Sequence, residues 1–243
     1  MSILYDRIGR SYVATRGEDP RIAAAIHAAL GDARTVLNVG AGAGAYEPRD
    51  RDVTAVEPSA VMRAQRPPGA APCIDARAEA LPFADGAFDA AMALLSDHHW
   101  SDRFAGLREL RRVARRAVVF QWNPAYVQAF WLVRDYLPSF GRSLEGSFEA
   151  AKRALGASRE DAVPIPHDCR DGFLMAYWRR PEAYLEPAVR ANISVFALLP
   201  PDEVGAMVAG LRADLESGAW ERRNADLLAR DEYDFGYRVL VAE

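Results

Sequence analysis

TVLNVGAGAG, residues 35–44, joins a run of buried-strand character to three glycines on alternate positions. Thr35 to Val39 is apolar and β-branched, as a parallel strand covered on both faces has to be. Gly40, Gly42 and Gly44 follow at its carboxyl end. There a nucleotide-like ligand approaches the backbone closely, and only glycine avoids a Cβ clash or a positive-φ penalty. A glycine turn after a strand also arises for purely structural reasons, so the loop alone leaves both readings open.

Outward from the loop, strand and helix patterns alternate. Pro20 to Leu30 carries Ile22, Ile26 and Leu30 at spacing four before Gly31, which predicts a helix with a C-terminal stop. Val53 to Val56 reads as a second strand, Cys73 to Asp75 as a weak third, and Phe88 to Leu95 as a fourth that leads into the polar cluster Ser96 to Trp100. Asp102 to Ala114 is helical in pattern, and Ala117 to Trp122 is strand-like. Asn192 to Leu199 is strand-like too, Asp202 to Ser217 helical, and Tyr237 to Ala242 reads as another strand. This alternation predicts an α/β fold: a Rossmann-like, doubly wound, mostly parallel seven-stranded sheet. From Tyr126 to about Arg180 the pattern is broken by Pro138, Gly141, Gly146, Gly156, Pro164 and Pro166, which predicts an inserted helical cap. The expected organisation is a single domain over 1–243: a helical lid (1–34), a core (35–125), the cap (126–185), and C-terminal strands and a helix completing the sheet (186–243).

At 243 residues the chain has room for one sizeable core and a cap; half of it is apolar and 26% charged, as in globular proteins. The net charge of −4 provides no global attraction to nucleic acid, so a small-molecule partner is expected. The cluster Arg108, Arg111, Arg112, Arg115 and Arg116 interleaves with Leu107, Leu110 and Val113 and reads as the solvated face of a helix. Cys73 and Cys169 are far apart, which signals neither a metal cluster nor a disulfide framework and fits a reducing cytoplasm. MSILYDRIGR lacks a signal-peptide core, and no apolar run nears the roughly 18 residues of a membrane span. A cytoplasmic protein without a membrane segment is expected; the oligomeric state is not legible.

Glu57, at the end of the second strand, is placed to accept two hydrogen bonds from ribose hydroxyls. Gly40, Gly42 and Ala45 also fit the dinucleotide form G-x-G-x-x-G/A formally. Against that, Pro48 and the charged run Arg49 to Asp52 leave space for about one helical turn before the next strand, and no nicotinamide-domain signature follows.

Taken in order and spacing, VLNVGAGAG (36–44), AVEPS (55–59), RAEALPFADGAFDAAMALL (77–95) and HHW (98–100) resemble the class I S-adenosylmethionine-dependent methyltransferases of the ubiquinone/menaquinone-biosynthesis type, over roughly residues 5–122. The resemblance implies S-adenosyl-L-methionine as cofactor and S-adenosyl-L-homocysteine as product. It gives Gly40, Ala41 and Gly42 the methionine part of the cofactor, Glu57 the ribose diol, and Pro58 to Met62 the border of the adenine. Ala78 and Glu79 lie beside that ring in the family's A-E-x-L-P-F stretch, and Leu95 at the end of the fourth strand completes the cofactor set. YDRIGRSYVATR resembles the family's lid segment, in which Tyr12 and Arg16 reach the cofactor carboxylate. The chain departs from the family at Asn38, where an acidic residue is common, at Arg77, where an aspartate often meets the adenine amino group, and in the shortened helix after the glycine loop.

Methyl transfer from a sulfonium is an in-line displacement that needs alignment and a desolvated site, with a base only where the acceptor must lose a proton. In an open α/β sheet the crevice lies past the strand ends. That places His98 and His99 as catalytic candidates, suited to proton removal near neutrality, or else as residues that pack the loop. Trp122, Asn123 and His167 are the expected substrate-pocket residues, and Trp100, Phe130, Trp131, Phe173, Tyr177 and Trp178 either line an aromatic pocket or pack the cap. No metal is expected. The leading function is methyl transfer to oxygen or nitrogen of a small molecule, in specialised metabolism. The alternatives are an S-adenosylmethionine-binding enzyme of other chemistry and a non-catalytic binding protein on the same fold.

Overall fold

The computed structural model describes residues 16–140 and 146–243. Tyr12 lies outside the described residues.

The helices are α1 (Pro20–Ala29), α2 (Ala60–Arg63), α3 (Arg103–Val113), α4 (Trp131–Tyr136), α5 (Ser147–Leu155), α6 (Pro187–Ala191), α7 (Ser194–Leu198), α8 (Pro201–Glu216), α9 (Ala219–Arg223) and α10 (Ala225–Leu228). The strands are β1 (Thr35–Val39), β2 (Asp52–Val56), β3 (Cys73–Ile74), β4 (Phe88–Leu94), β5 (Ala114–Trp122), β6 (Arg159–Ala162), β7 (Ile165–Pro166), β8 (Glu232–Tyr233) and β9 (Tyr237–Ala242). Seven form one sheet in the order β3-β2-β1-β4-β5-β9-β6; β7 and β8 pair separately. The first five positions are parallel, and β9 runs antiparallel to both neighbours. The winding reverses between β1 and β4, so the ends of these two strands open a crevice.

Alternate side chains of each strand supply two cores. On one face Val36, Met92, Val118 and Phe120 pack with Ile22 and Ile26 of α1 and with Phe130, Trp131, Trp178 and Tyr184 of the cap. On the other, Leu37, Ala91 and Val119 pack with Leu107, Leu110 and Val113 of α3 and Phe148 and Leu155 of α5. The cap aromatics therefore extend the sheet's own core. Residues 40–51 form turns without a helix, and α1 and the cap cover this face of the sheet.

Local chemistry sets the registers. Asp19 caps α1 by accepting from the Arg21 N–H at 3.0 Å, and Asp102 caps α3 through the Ala105 N–H at 2.9 Å. Asp89, in the Phe-Asp pair that opens β4, accepts from the N–H groups of Arg34 and Thr35, each at 3.0 Å, and locks β1 beside β4. Arg112 donates to the carbonyls of Leu81 (3.0 Å) and Phe83 (2.8 Å) and to Asp85 and Glu109, which fastens the Leu-Pro-Phe turn to α3. This member of the arginine cluster thus binds its own protein.

The sheet holds seven strands, but one is not the expected one. Asn192 to Leu199 is helical, covering α7 and its approach, because a short apolar run carries no periodicity that separates strand from buried helix. The missing strand is β6, Arg159–Ala162, inside the segment expected to be purely cap. REDA has no apolar alternation because this edge strand is exposed along its length; its Glu160 instead meets Arg238 of β9 at 3.2 Å. Charge on an edge strand is a common guard against intermolecular pairing. Conversely, helices α6 to α10 lie in the segment expected to complete the sheet, to which β9 is its one contribution to the main sheet. Among the described residues no helix is long and apolar enough to cross a membrane.

Candidate functional site

The glycine loop crosses the end of β2, with the N–H groups of Gly40 and Ala41 donating to the Val56 carbonyl at 2.8 and 3.0 Å. Gly40 has φ +69°, and a Cβ there would lie 2.8 Å from the Ser96 side chain. Ser96 is itself held by donation from Oγ to the Val39 carbonyl at 3.0 Å. Gly42, at φ +53°, points its N–H at Glu57 Oε2, 2.8 Å away. The loop walls a cavity whose lining includes Arg16, Asn38, Gly40, Ala41, Gly42, Tyr46, Glu57, Pro58, Met62, Leu95, His99 and Trp100. Tyr46 (φ +64°) and Leu95 (φ +50°) are the two non-glycine residues in left-handed backbone among the described residues, and both line it. Strained backbone of this kind concentrates at functional sites.

Glu57 is nearly buried, and its second oxygen accepts from the Ser59 N–H at 2.8 Å. Burial pushes its carboxyl above the ordinary range, partly offset by the N–H groups of Ser59 and Gly42. Each oxygen keeps a lone pair for a further donor. Asn38 donates from Nδ2 to Glu47 at 3.0 Å, and Glu47 is paired with Arg66 at 2.8 Å. The position that is commonly acidic in the family is therefore neutral here and leans on an ion pair.

Arg16 reaches the same cavity already engaged. Its Nε lies 2.5 Å and its Nη2 3.2 Å from the two oxygens of Asp171, which also accepts from the Tyr46 hydroxyl at 2.9 Å. Asp171 thereby joins the N-terminal segment, the glycine loop and the cap in one buried cluster.

A second, wider cavity adjoins the first and shares Arg16, Leu95 and His99 with it. Its wall includes His98, Arg103, Gln121, Trp122, Phe140, Phe173, Leu174 and Leu198. The His98 and His99 rings lie 3.9 Å apart between centroids. Burial, and then the charge of His98, push the His99 pKa down to about 3, so its imidazole is neutral at physiological pH. Asp97 is fully buried; burial pushes its carboxyl up, but His98 and Arg103 outweigh this and hold it below its ordinary range. Arg103 binds Asp97 at 2.6 Å and also donates to Gln121 Oε1. The Gln121 Nε2 is buried with no hydrogen-bond partner. Such an amide costs about 1–3 kcal/mol unless something supplies an acceptor.

The structure brings Arg16, Gly40, Ala41, Gly42, Glu57, Pro58, Met62 and Leu95 to the first cavity, His99 to both, and His98 and Trp122 to the second. Four expected residues line neither. Ala78 is packed in the core against α3, and Glu79 accepts from Ser101 Oγ (2.8 Å) and the Asp102 N–H (3.1 Å) at the start of that helix. Asn123 caps the turn after β5 by accepting from the Ala125 N–H at 3.0 Å. His167 bonds the Asp231 carbonyl beside the small β7-β8 sheet, its ring Nδ1 at 3.1 Å. Tyr46, Arg103, Gln121 and Asp171 stand in no sequence motif, and Ser96 and Asp97 show only as part of the polar cluster after β4. Tyr46 adjoins the glycine run, a usable hint, whereas Asp171 is far from its partners in sequence and carries no local signal.

A sequence family described as "Methyltransferase domain" matches residues 37–120, which span β1 to β5. The chain is 32% identical to a protein described as a candidate methyltransferase of an antibiotic biosynthesis pathway from Anabaena variabilis, with a TM-score of 0.84 over 94% of this chain and 99% of that one. A SAM-dependent methyltransferase structure from Thermotoga maritima superposes with a TM-score of 0.52 at 20% identity, covering 68% and 86% of the two chains, which is a likeness of fold. The Escherichia coli K12 protein YafE is 43% identical over 60 residues, 23% of this chain and 29% of YafE. With the glycine loop, the acidic end of β2 and the strand order in place, the chain belongs to the class I S-adenosylmethionine-dependent methyltransferases, enzymes whose cofactor is S-adenosylmethionine.

Proposed function

We propose that this enzyme transfers the methyl group to oxygen or nitrogen of a small molecule in specialised metabolism, with the first cavity as cofactor cleft and the second as acceptor cavity. The observation that carries the reading is the junction of the two cavities at Arg16, Leu95 and His99. A cofactor in one and an acceptor in the other would meet at these residues. The pathway named for the Anabaena variabilis protein supports the metabolic setting.

The residues of the cleft fit the cofactor. A side chain at Gly40 would fill the cradle, Glu57 offers carboxylate lone pairs to a diol, and Pro58 and Met62 provide an apolar border. Gly40, Ala41 and Gly42 hold the methionine part, Glu57 the ribose, and Arg16, kept in place by Asp171, faces the carboxylate end. The bound cofactor supplies an electrophilic methyl group on a sulfonium. The chain's contribution is alignment and exclusion of water, which Leu95, Trp100 and the apolar acceptor wall provide. Of the two histidines, His98 is the better general base. Its ring is open to the acceptor cavity, with Asp97 Oδ1 3.9 Å from Nδ1, whereas His99 is too weak a base to hold a proton near neutrality.

Calorimetry with S-adenosylmethionine, S-adenosylhomocysteine and NAD, followed by assay of S-adenosylhomocysteine release over a library of phenols, amines and carboxylic acids, tests this. Binding of both sulfur compounds but not NAD, and release with a phenol or amine, is expected. Sulfur-cofactor binding with a chemical change in an acceptor and no release would favour bystander use, and no binding would refute the proposal.

A further inference from the structure

We infer that the second cavity takes an electrically neutral, mainly apolar acceptor that presents a hydrogen-bond-accepting oxygen to Gln121. This rests on the reading of that cavity as the acceptor site.

Arg16 and Arg103 both belong to the cavity wall, and an uncompensated guanidinium in such a wall would call for an anionic ligand. Neither is uncompensated. Arg16 makes a two-point contact with Asp171, and Arg103 contacts Asp97 through Nε at 2.7 Å and Nη2 at 2.6 Å while its Nη1 donates to the Ser147 carbonyl at 3.2 Å. Both carboxylates are at most 1% exposed, so each guanidinium is balanced by a charge already removed from water. An anionic acceptor would have to share a cation with a buried carboxylate beside it, and at Arg16 also with the carboxylate end of the cofactor. A cationic ligand would meet two arginines, and the carboxylates that balance them are not part of the wall.

Gln121 supplies the remaining polar specificity. A guanidinium only donates, so the bond from Arg103 identifies the amide oxygen and fixes the opposite orientation of Nε2. Gln121 is in the wall and 2% exposed, and its Nε2 has no partner in the protein. An acceptor oxygen that enters through the cavity and shifts the side chains covering Nε2 satisfies that donor. A carbonyl, ether or hydroxyl oxygen does so without adding charge. The body of the molecule meets Trp122, Phe140, Phe173, Leu174 and, at an exposed rim, Leu198.

The test uses the full chain saturated with S-adenosylhomocysteine and four probes of one shape: acetylnaphthalene, naphthoate, naphthylethylammonium and ethylnaphthalene, with binding followed by calorimetry. Acetylnaphthalene is expected to bind about fivefold more tightly than the hydrocarbon and at least about tenfold more tightly than either ion. Gln121→Leu should bring the ketone level with the hydrocarbon. A tighter-binding naphthoate or ammonium probe, a ketone preference that survives Gln121→Leu, or no binding by any probe would overturn the inference; the wild-type ranking decides it even if the variant does not fold. Failure of S-adenosylhomocysteine itself to bind would remove the parent reading as well, whereas a reversed ranking on the saturated protein removes this inference alone.

Discussion

Glu57 occupies both of its oxygens with backbone N–H groups, Gly42 on one side and Ser59 on the other, each at 2.8 Å. It therefore shapes the glycine loop from within and presents its remaining lone pairs to the cleft. Two losses follow from removing it: the charge-assisted bonds to a diol, and the acceptor that holds the Gly42 N–H. Hydrogen bonds to a charged group are worth about 1.5–3 kcal/mol. Glu57→Ala is accordingly expected to weaken S-adenosylhomocysteine binding by on the order of 10- to 100-fold, with Glu57→Gln in between. Calorimetry measures this directly, and an unchanged dissociation constant for the alanine variant would refute the ribose assignment. This residue was legible in the sequence because an acidic residue at the end of a second strand is a local pattern. Gln121 was not, since an amide inside an apolar strand acquires meaning only when Arg103 arrives from another element.

Among elements, legibility tracked how much of the signal is local. β1 and β9 were read to the residue, because short, mostly apolar and β-branched runs, broken only by Asn38 in one and Arg238 in the other, have one stable use in an α/β sheet. β6 was invisible because pairing with β9, and not its own pattern, makes it a strand. The cap's attachment was equally hidden, since it depends on Asp171 finding Arg16 and Tyr46 across long stretches of chain. That junction yields a prediction at the same scale. Removing one member of a buried pair leaves the other uncompensated, at a cost of about 3–5 kcal/mol. Asp171→Ala should therefore lower stability by that order in urea unfolding and speed amide exchange in both the glycine loop and the segment around residue 171. The solvent-exposed Arg21–Asp168 pair is the control: Asp168→Ala should leave the urea unfolding curve essentially unchanged. Equal effects for the two variants would show that Asp171 is not a junction.

For the whole molecule, several groups couple folding to pH with the same sign. The partly buried His99 has its pKa pushed down to about 3 from 6.5, mainly by burial. Asp19 is lowered to about 2: burial raises it, but bonds from the Arg21 side chain and from the Arg170 and Arg21 backbone outweigh that. Asp97 is lowered as well. A depressed folded pKa means that the unfolded chain binds more protons, so stability is lost as pH falls through the interval between the two values. For His99 that interval opens below 6.5, and for Asp19 below 3.8. Glu57 opposes this around the ordinary carboxylate range, because its raised pKa lets the folded state take a proton first. The expected profile has two stages. Between pH 6.5 and 5 the unfolding free energy falls with a slope of at most about one proton, near 1.4 kcal/mol per pH unit, and a steeper carboxylate loss follows at lower pH. His99→Asn should flatten the first stage and leave the second in place, as read by urea titrations at a series of pH values. A first stage of undiminished slope in that variant would show that His99 ionises as freely in the folded protein as in the unfolded chain, and would restore it as a base for the acceptor's proton.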